Sequence, residues 1–329
     1  MKAKKLLPIL ALALAATTFA ACGDKAVTFG HYWFLDPSAK DKAFYECAEY
    51  TVTSEAFKNS YANYAVEYSG TFTTTFEYNQ LEGHYTFATK LDVDVTFTLG
   101  ETEKKYEDSA ESFVKFDAKD NKLRPIESSK KILCHTPISG KFDAVEKCFA
   151  VIDYEYTTKY DTDKGNVVSG ECKITNNKGE TKESTISKTF GYVKDLTFID
   201  NEQILVAVRA FSEDATSATL GSYSVFASNT QKIKLSFADE EDKASEAFAY
   251  TLVDANGTET QKQLKELCRT ASINLEQTNP GVTQKIKFVK AKDATNNTYR
   301  NLILEMTTPL SYGMGEIYYK LNKVSYQKP

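Results

Sequence analysis

Apolar and polar residues alternate along most of this chain with a period of two. From Tyr85 onward, Tyr85, Phe87, Leu91, Val93, Val95, Phe97 and Leu99 share one parity, and Thr86, Lys90, Asp92, Asp94, Thr96 and Thr98 share the other. Successive side chains of a strand point to opposite faces, so this run has one apolar and one polar face. At about 3.3 Å per residue it predicts a strand of roughly 50 Å, longer than the usual three to ten residues. Phe72, Phe76 and Tyr78 repeat the pattern, as do Ile152, Tyr154, Tyr156 and Tyr160. So do Val168, Cys172 and Ile174, then Ile233, Leu235 and Phe237, then Phe248, Tyr250 and Leu252. The stretches 284–291, 299–307 and 316–326 continue it. Asp163-Lys164-Gly165-Asn166, Asn176-Asn177-Lys178-Gly179 and Asn256-Gly257 supply hairpin turns between such runs.

Three short segments depart from this period. Asp200 is a good N-cap with Gln203 three residues on, and Ile204, Ala207, Val208 and Phe211 follow helical spacing. A helix over 201–211 is predicted, with Val206 on the face turned away from the core. Ser38 with Asp41, followed by Phe44, Cys47 and Ala48, predicts a helix near 39–48. Leu264, Leu267, Cys268 and Ala271 predict another over 261–269. The fold class is therefore mainly β: a long antiparallel curved sheet, half-barrel-like or a sandwich, with one to three short helices.

The N-terminus reads differently. Lys2, Lys4 and Lys5 precede an apolar run from Leu6 to Ala16, and small residues then lead to Cys22. This is the order of a secretory signal, and its apolar run of about eleven residues is too short to span a bilayer. Phe19-Ala20-Ala21-Cys22 resembles the lipobox of bacterial lipoproteins, with Phe19 where that family usually carries Leu. The resemblance implies cleavage before Cys22 and a diacylglycerol on its thiol, which two acyl chains would make a stable anchor. The expected organisation is a signal at 1–21, a lipid-anchored tether at 22–37 and a β-rich domain at 38–329, with two lobes dividing near 199 if it divides. Within the tether, His31-Tyr32-Trp33-Phe34-Leu35 reads as a segment docked on the domain.

The succession of long strands and short helices over residues 65–326 resembles the half-barrel lipoprotein carriers of the LolA and LppX type. In those proteins a curved sheet wraps short helices and encloses an apolar groove. No residue motif carries this resemblance, and no functional residue transfers from it.

Composition narrows the function further. Removing residues 1–21 leaves 45 acidic and 40 − 3 = 37 basic residues, a net charge of −8. A net acidic chain without basic runs is a poor nucleic-acid binder. The rarity of Arg beside Lys fits an AT-rich genome, and a Gram-positive cell surface is the favoured location. Cys47, Cys134, Cys148, Cys172 and Cys268 remain after Cys22, an odd number without zinc spacing. Cys134 with Cys148 is the nearest candidate disulfide, and small buried thiols are the plainer reading.

Catalytic patterns are thin. His31, His84 and His135 lie in no metal-binding spacing, and His84, after Gly83, reads as a solvated turn residue. Cys134 and His135 would face opposite sides of a strand. Ser128-Ser129-Lys130-Lys131 contains an S-x-x-K without its partner motifs and reads as a polar loop. Asp161 to Asn166 resembles half a calcium loop, without the closing Glu, and reads as a hairpin turn. The 20 Tyr and 20 Phe suit sheet packing. The sequence therefore points to a non-catalytic, lipid-anchored surface protein, with Cys22 as its one assigned site and no cofactor or metal. It would be an interaction or structural module with a surface partner protein, or a carrier of a lipophilic small ligand in a curved-sheet groove. A surface hydrolase is the remaining class.

Overall fold

The computed structural model describes residue 29 and residues 44–56, 62–119, 122–163, 165–192, 195–212, 214–225, 228–239, 248–264, 268–275, 283–289, 301–310 and 313–329. Eight strands run in sequence as antiparallel neighbours. They are β1 (Tyr45–Ala56), β2 (Ala65–Asn79), β3 (His84–Leu99), β4 (Thr102–Lys119), β5 (Lys122–Pro137), β6 (Phe149–Thr162), β7 (Gly165–Thr175) and β8 (Thr181–Phe190). The free side of β1 pairs with β17 (Gly315–Ser325). The sheet then continues through β16 (Ile303–Pro309), β15 (Thr283–Val289), β14 (Cys268–Leu275), β11 (Asn229–Asp239) and β10 (Ser217–Ser224) to the two-residue β9 (Thr197–Phe198). A hairpin of β12 (Phe248–Val253) and β13 (Glu259–Leu264) joins the end of β17 by a short parallel contact. The result is one mixed sheet of 17 strands. It is not closed into a barrel: β9 pairs with β10, and among the described residues no register joins it to β8.

The period-two pattern sets the facing. β2 and β3 pair over their whole length without a bulge, so parity is kept from one end to the other. Val93 is buried, whereas its neighbour Asp94 faces out and pairs with Lys105 at 2.7 Å. Two glycines let neighbouring strands come close. A Cβ on Gly70 would lie 2.2 Å from the Asp92 carbonyl oxygen, and one on Gly170 would lie 2.1 Å from that of Glu155. Neighbouring backbone approaches so closely at both points that only glycine fits.

Two cores fill the ends of the concave face. At one end lies a short helix, α1 (Ile204–Arg209), preceded by a 3-10 turn at Asn201–Gln203. Asp200 accepts from the Glu202 N–H, and the Asp200 N–H donates to the Gln203 side chain, which is the expected capping box. Val206, Val208 and Phe211 pack against Phe76, Phe87 and Phe116 of one wall and Leu220, Ile233 and Ile286 of the other. Arg209 is buried with them and forms a two-pronged ion pair with Glu46, at 2.6 and 3.1 Å. At the opposite end Val66, Val95 and Phe97 are covered by Val145, Cys148 and Phe149 and by Leu310 and Met314. A third cluster, centred on Tyr160, Phe190, Phe198 and Tyr223, holds β6–β8 against β9 and β10.

Several expectations need correction. Residues 45–48 belong to β1 and not to a helix, and residues 39–43 lie outside the described residues. The segment 261–269 belongs to β13 and β14, with 265–267 outside the described residues. Val206 does not face away from the core: it is as buried as Val208, and the half-buried residues of α1 are Ile204 and Leu205. Ser128 to Lys131 lie in the middle of β5 rather than in a loop. His84 opens β3, is buried, and lies 2.8 Å from the Glu82 carboxylate. The five described cysteines are free thiols, so Cys134 and Cys148 are not bridged.

Candidate functional site

Between the two filled ends the concave face is half open. Phe72, Leu91, Ala110 and Ile132 stand opposite one another across β2, β3, β4 and β5 and form a floor. All four are half-buried. Ile286, Met306 and Tyr319 form the facing wall, and Ile204 and Leu205 close the helix end with Asn201 and Glu202. The open groove so bounded has a volume of about 250 Å³. A larger concavity of about 340 Å³ lies on the other face of β3–β6. It is rimmed by Lys90, Glu111, Lys131 and Glu155, which alternate in sign across the strands and include the Lys131–Glu155 pair. That face is a solvated charge ladder, so the concave groove is the better candidate for recognising an apolar ligand.

One end of the groove is polar. Lys130 of β5 donates to Glu202 at 2.6 Å. Burial alone would lower the Lys130 ammonium, but Glu202 beside it, with Tyr154 and Asp200, holds it above its ordinary value. Asp200 is buried one step further in. Its Oδ2 accepts from Ser128 Oγ at 2.6 Å and from the Tyr160 hydroxyl. Burial, helped by the Glu202 carboxylate, raises the Asp200 carboxyl above its usual range, against the hydrogen bonds from Ser128, Tyr160 and the Glu202 N–H. Asn201 ties the same turn to the other wall, donating to the Tyr223 carbonyl and accepting from Ser222.

The residues singled out for chemistry are dispersed by the fold. Asp108 accepts two contacts from the His135 backbone N–H and one from His135 Nδ1 at 2.6 Å. It does so where β5 leaves β4, just beyond the Ser109–Leu133 pair, and the His135 ring stacks on Tyr106. The carboxylate therefore takes over from the strand ladder. Cys134 contacts Thr136 at 3.5 Å, and burial pushes its thiol up to about 11. Burial likewise pushes Cys148 up to about 11. A thiol so shifted is protonated near neutral pH and is a poor nucleophile. Ser128 of the S-x-x-K donates to Asp200, whereas its Lys131 lies on the other face of the sheet, 3.9 Å from Glu155; it is the intervening Lys130 that shares the 200–202 turn with Ser128. Among the described residues no cluster of three His, Cys, Asp or Glu could hold a metal ion.

Cys22, His31 and Trp33 lie outside the described residues. Within 22–37, Phe29 is described: it is fully buried in the helix-filled core, its ring 5.0 Å from that of Phe211. The floor residues Leu91 and Phe72 belong to runs whose alternation marked them as core. Ala110, Ile132 and Lys130 carried no such signal, because β4 and β5 do not alternate cleanly.

No family model matches the chain. No curated protein matches it either. Among solved structures it is similar to a beta-barrel-like protein of a domain of unknown function, DUF1849, from Brucella abortus. The two share 13% identity over 87% of this chain and 99% of the other, with a TM-score of 0.45.

Proposed function

We propose that this protein is a non-catalytic binding module, held at the outer face of a bacterial membrane through lipid on Cys22, whose groove takes a small apolar ligand. The observation that carries the reading is the half-open stretch of concave sheet at Phe72, Leu91, Ala110 and Ile132. Apolar surface left open between two filled cores is what a binding site for an apolar group requires, since burying that surface supplies the affinity. The anchor rests on the charged, apolar and small-residue order that ends at Cys22. Native mass spectrometry of the protein extracted from membranes should find a non-covalent apolar adduct, lost when Ala110→Trp fills the groove. A ligand-free spectrum for both forms contradicts ligand binding. Cys22→Ser should abolish labelling by a fatty-acid probe, and normal labelling contradicts the anchor.

A second reading has its own support. At about 250 Å³ the groove is below the roughly 300–1,000 Å³ of common small-molecule sites. An inserted side chain of a surface partner protein would fit a groove of that size, and Ala110→Trp would then block partner capture without any lipid adduct in the parent protein.

A further inference from the structure

The turn that closes the polar end of the groove is tied to the two walls of the sheet in different ways. Residues 197–205 cross the concave face from β9 to α1. On one side Asn201 joins them to β10 through the Tyr223 carbonyl and Ser222, and β9 pairs with β10 directly. On the other side, side-chain hydrogen bonds tie them to β5 and β6: Ser128 and Tyr160 to Asp200, and Lys130 to Glu202. No backbone register joins this turn to β5 or β6 among the described residues.

Beneath those ties the groove floor continues. Ile132 stands in register with Tyr154, and Tyr154 with Cys172. Glu202 lies close enough to Tyr154 and Tyr156 for its charge to act on both phenols. The turn thus covers aromatic surface that extends the line of Phe72, Leu91, Ala110 and Ile132. The turn also holds a misfit. Gln203 is fully buried, and its Nε2 finds no acceptor among the described residues. A buried donor without a partner raises the energy of the closed arrangement and regains water when the turn lifts.

We propose that residues 200–205 are a strap tethered to the fixed strands β9 and β10, latched to β5 and β6 by Asp200 and Glu202, and that releasing the latch lengthens the groove over Tyr154 and Tyr156. This rests on the groove being the binding site, and it adds how a ligand longer than the closed groove is admitted. The hinge falls before Val206, because Val206 to Phe211 are locked in the helix-filled core. The aromatic cluster of Tyr160, Phe190, Phe198 and Tyr223 keeps β9 and β10 in place, so the turn alone lifts: polar contacts without a backbone ladder can break and re-form as a unit, whereas a ladder cannot part without leaving many buried backbone groups unpaired.

The test is amide hydrogen exchange on the full chain, comparing the parent with Ser128→Ala/Lys130→Met, which removes donors on β5 and leaves the turn's own capping box intact. Exchange over 200–205 should speed up at least tenfold, with 85–99 unchanged. The association rate of N-phenyl-1-naphthylamine should rise at least fivefold in the same variant. Unchanged exchange over 200–205, or equal acceleration in 85–99, overturns the strap. If the double variant does not fold, Lys130→Met removes the ion pair alone and is read in the same way. Failure of the probe to bind any form overturns the groove as a binding site, and the exchange result still decides the strap.

Discussion

Phe72 and Phe76 lie four residues apart on β2 and face the same side, yet they have different fates. Phe76 is 1% exposed and Phe72 is half-buried. Phe87 and Leu91 differ in the same way on β3, and Val114 and Ala110 on β4. The sheet is continuous beneath all six residues, so the difference comes from what is laid upon it. Over Phe76, Phe87 and Val114 sits α1, whose Val206, Val208 and Phe211 complete a dry core. Over Phe72, Leu91 and Ala110 the cover is partial: the Tyr319 ring meets Phe72 at 5.4 Å, and Ile204 and Leu205 reach in from α1. Alternation prepares an apolar face along the whole strand, and a distant segment decides which part becomes core and which becomes site.

The largest expected effect is at α1 itself. Val206→Lys and Val208→Lys should both unfold the protein, because each would bury a charge without a partner. A mild Val206→Lys in a thermal melt would mean that α1 has an open face. Next is the Glu46–Arg209 pair. Glu46→Ala leaves a buried guanidinium uncompensated and should cost about 3–5 kcal/mol in denaturant unfolding. A loss under 1 kcal/mol would show that water reaches this end.

The two phenylalanines sharpen the comparison directly. Phe76→Ala should cost about 3–5 kcal/mol by loss of packing and a residual cavity. Phe72→Ala should cost clearly less, since its ring already meets solvent. Equal losses would mean that the middle of the sheet is as well covered as the end.

How much of this was legible follows from the same physics. β2, β3, β6 and β7 announced themselves because their inward positions are apolar and their outward positions polar. β4 and β5 did not, because Asp108 and Ser112 point inward on β4, and Ser128 and Lys130 on β5. Asp108 holds the β4–β5 junction, Ser112 pairs with Thr89 of β3, and Ser128 and Lys130 hold the 200–202 turn, so the strands that shape the groove's polar end are the ones whose period is broken. The capping box at Asp200 and Gln203 was readable because it is local. That Asp200 also binds Ser128 and Tyr160 was not, because no local pattern links residues 40 and 72 positions apart. The helix misled in one respect. Its stripe of Ile204, Ala207, Val208 and Phe211 was read as one buried face, but from Val206 to Phe211 the segment is buried on every side, and Ile204 at its start is one of its more open residues.

The smallest effect concerns pH. Asp200 has a folded-state carboxyl raised above its unfolded value near 3.9. The folded state therefore keeps this proton over a range where the unfolded chain has lost it. Its contribution to stability is full below the ordinary Asp range and is lost as pH rises through the raised value. The stability of the parent relative to Asp200→Asn should therefore increase as pH falls from about 7 towards 4, measured by urea unfolding. A difference that shrinks on acidification would contradict a buried, raised Asp200.

A fluorescence titration with N-phenyl-1-naphthylamine decides whether the half-open middle of the sheet is a binding site. The parent protein should bind the probe saturably at one site, and Ala110→Trp should lose that binding while its melting temperature stays within a few degrees of the parent. Equal binding by both proteins, or binding by neither, would mean that the groove is not the site.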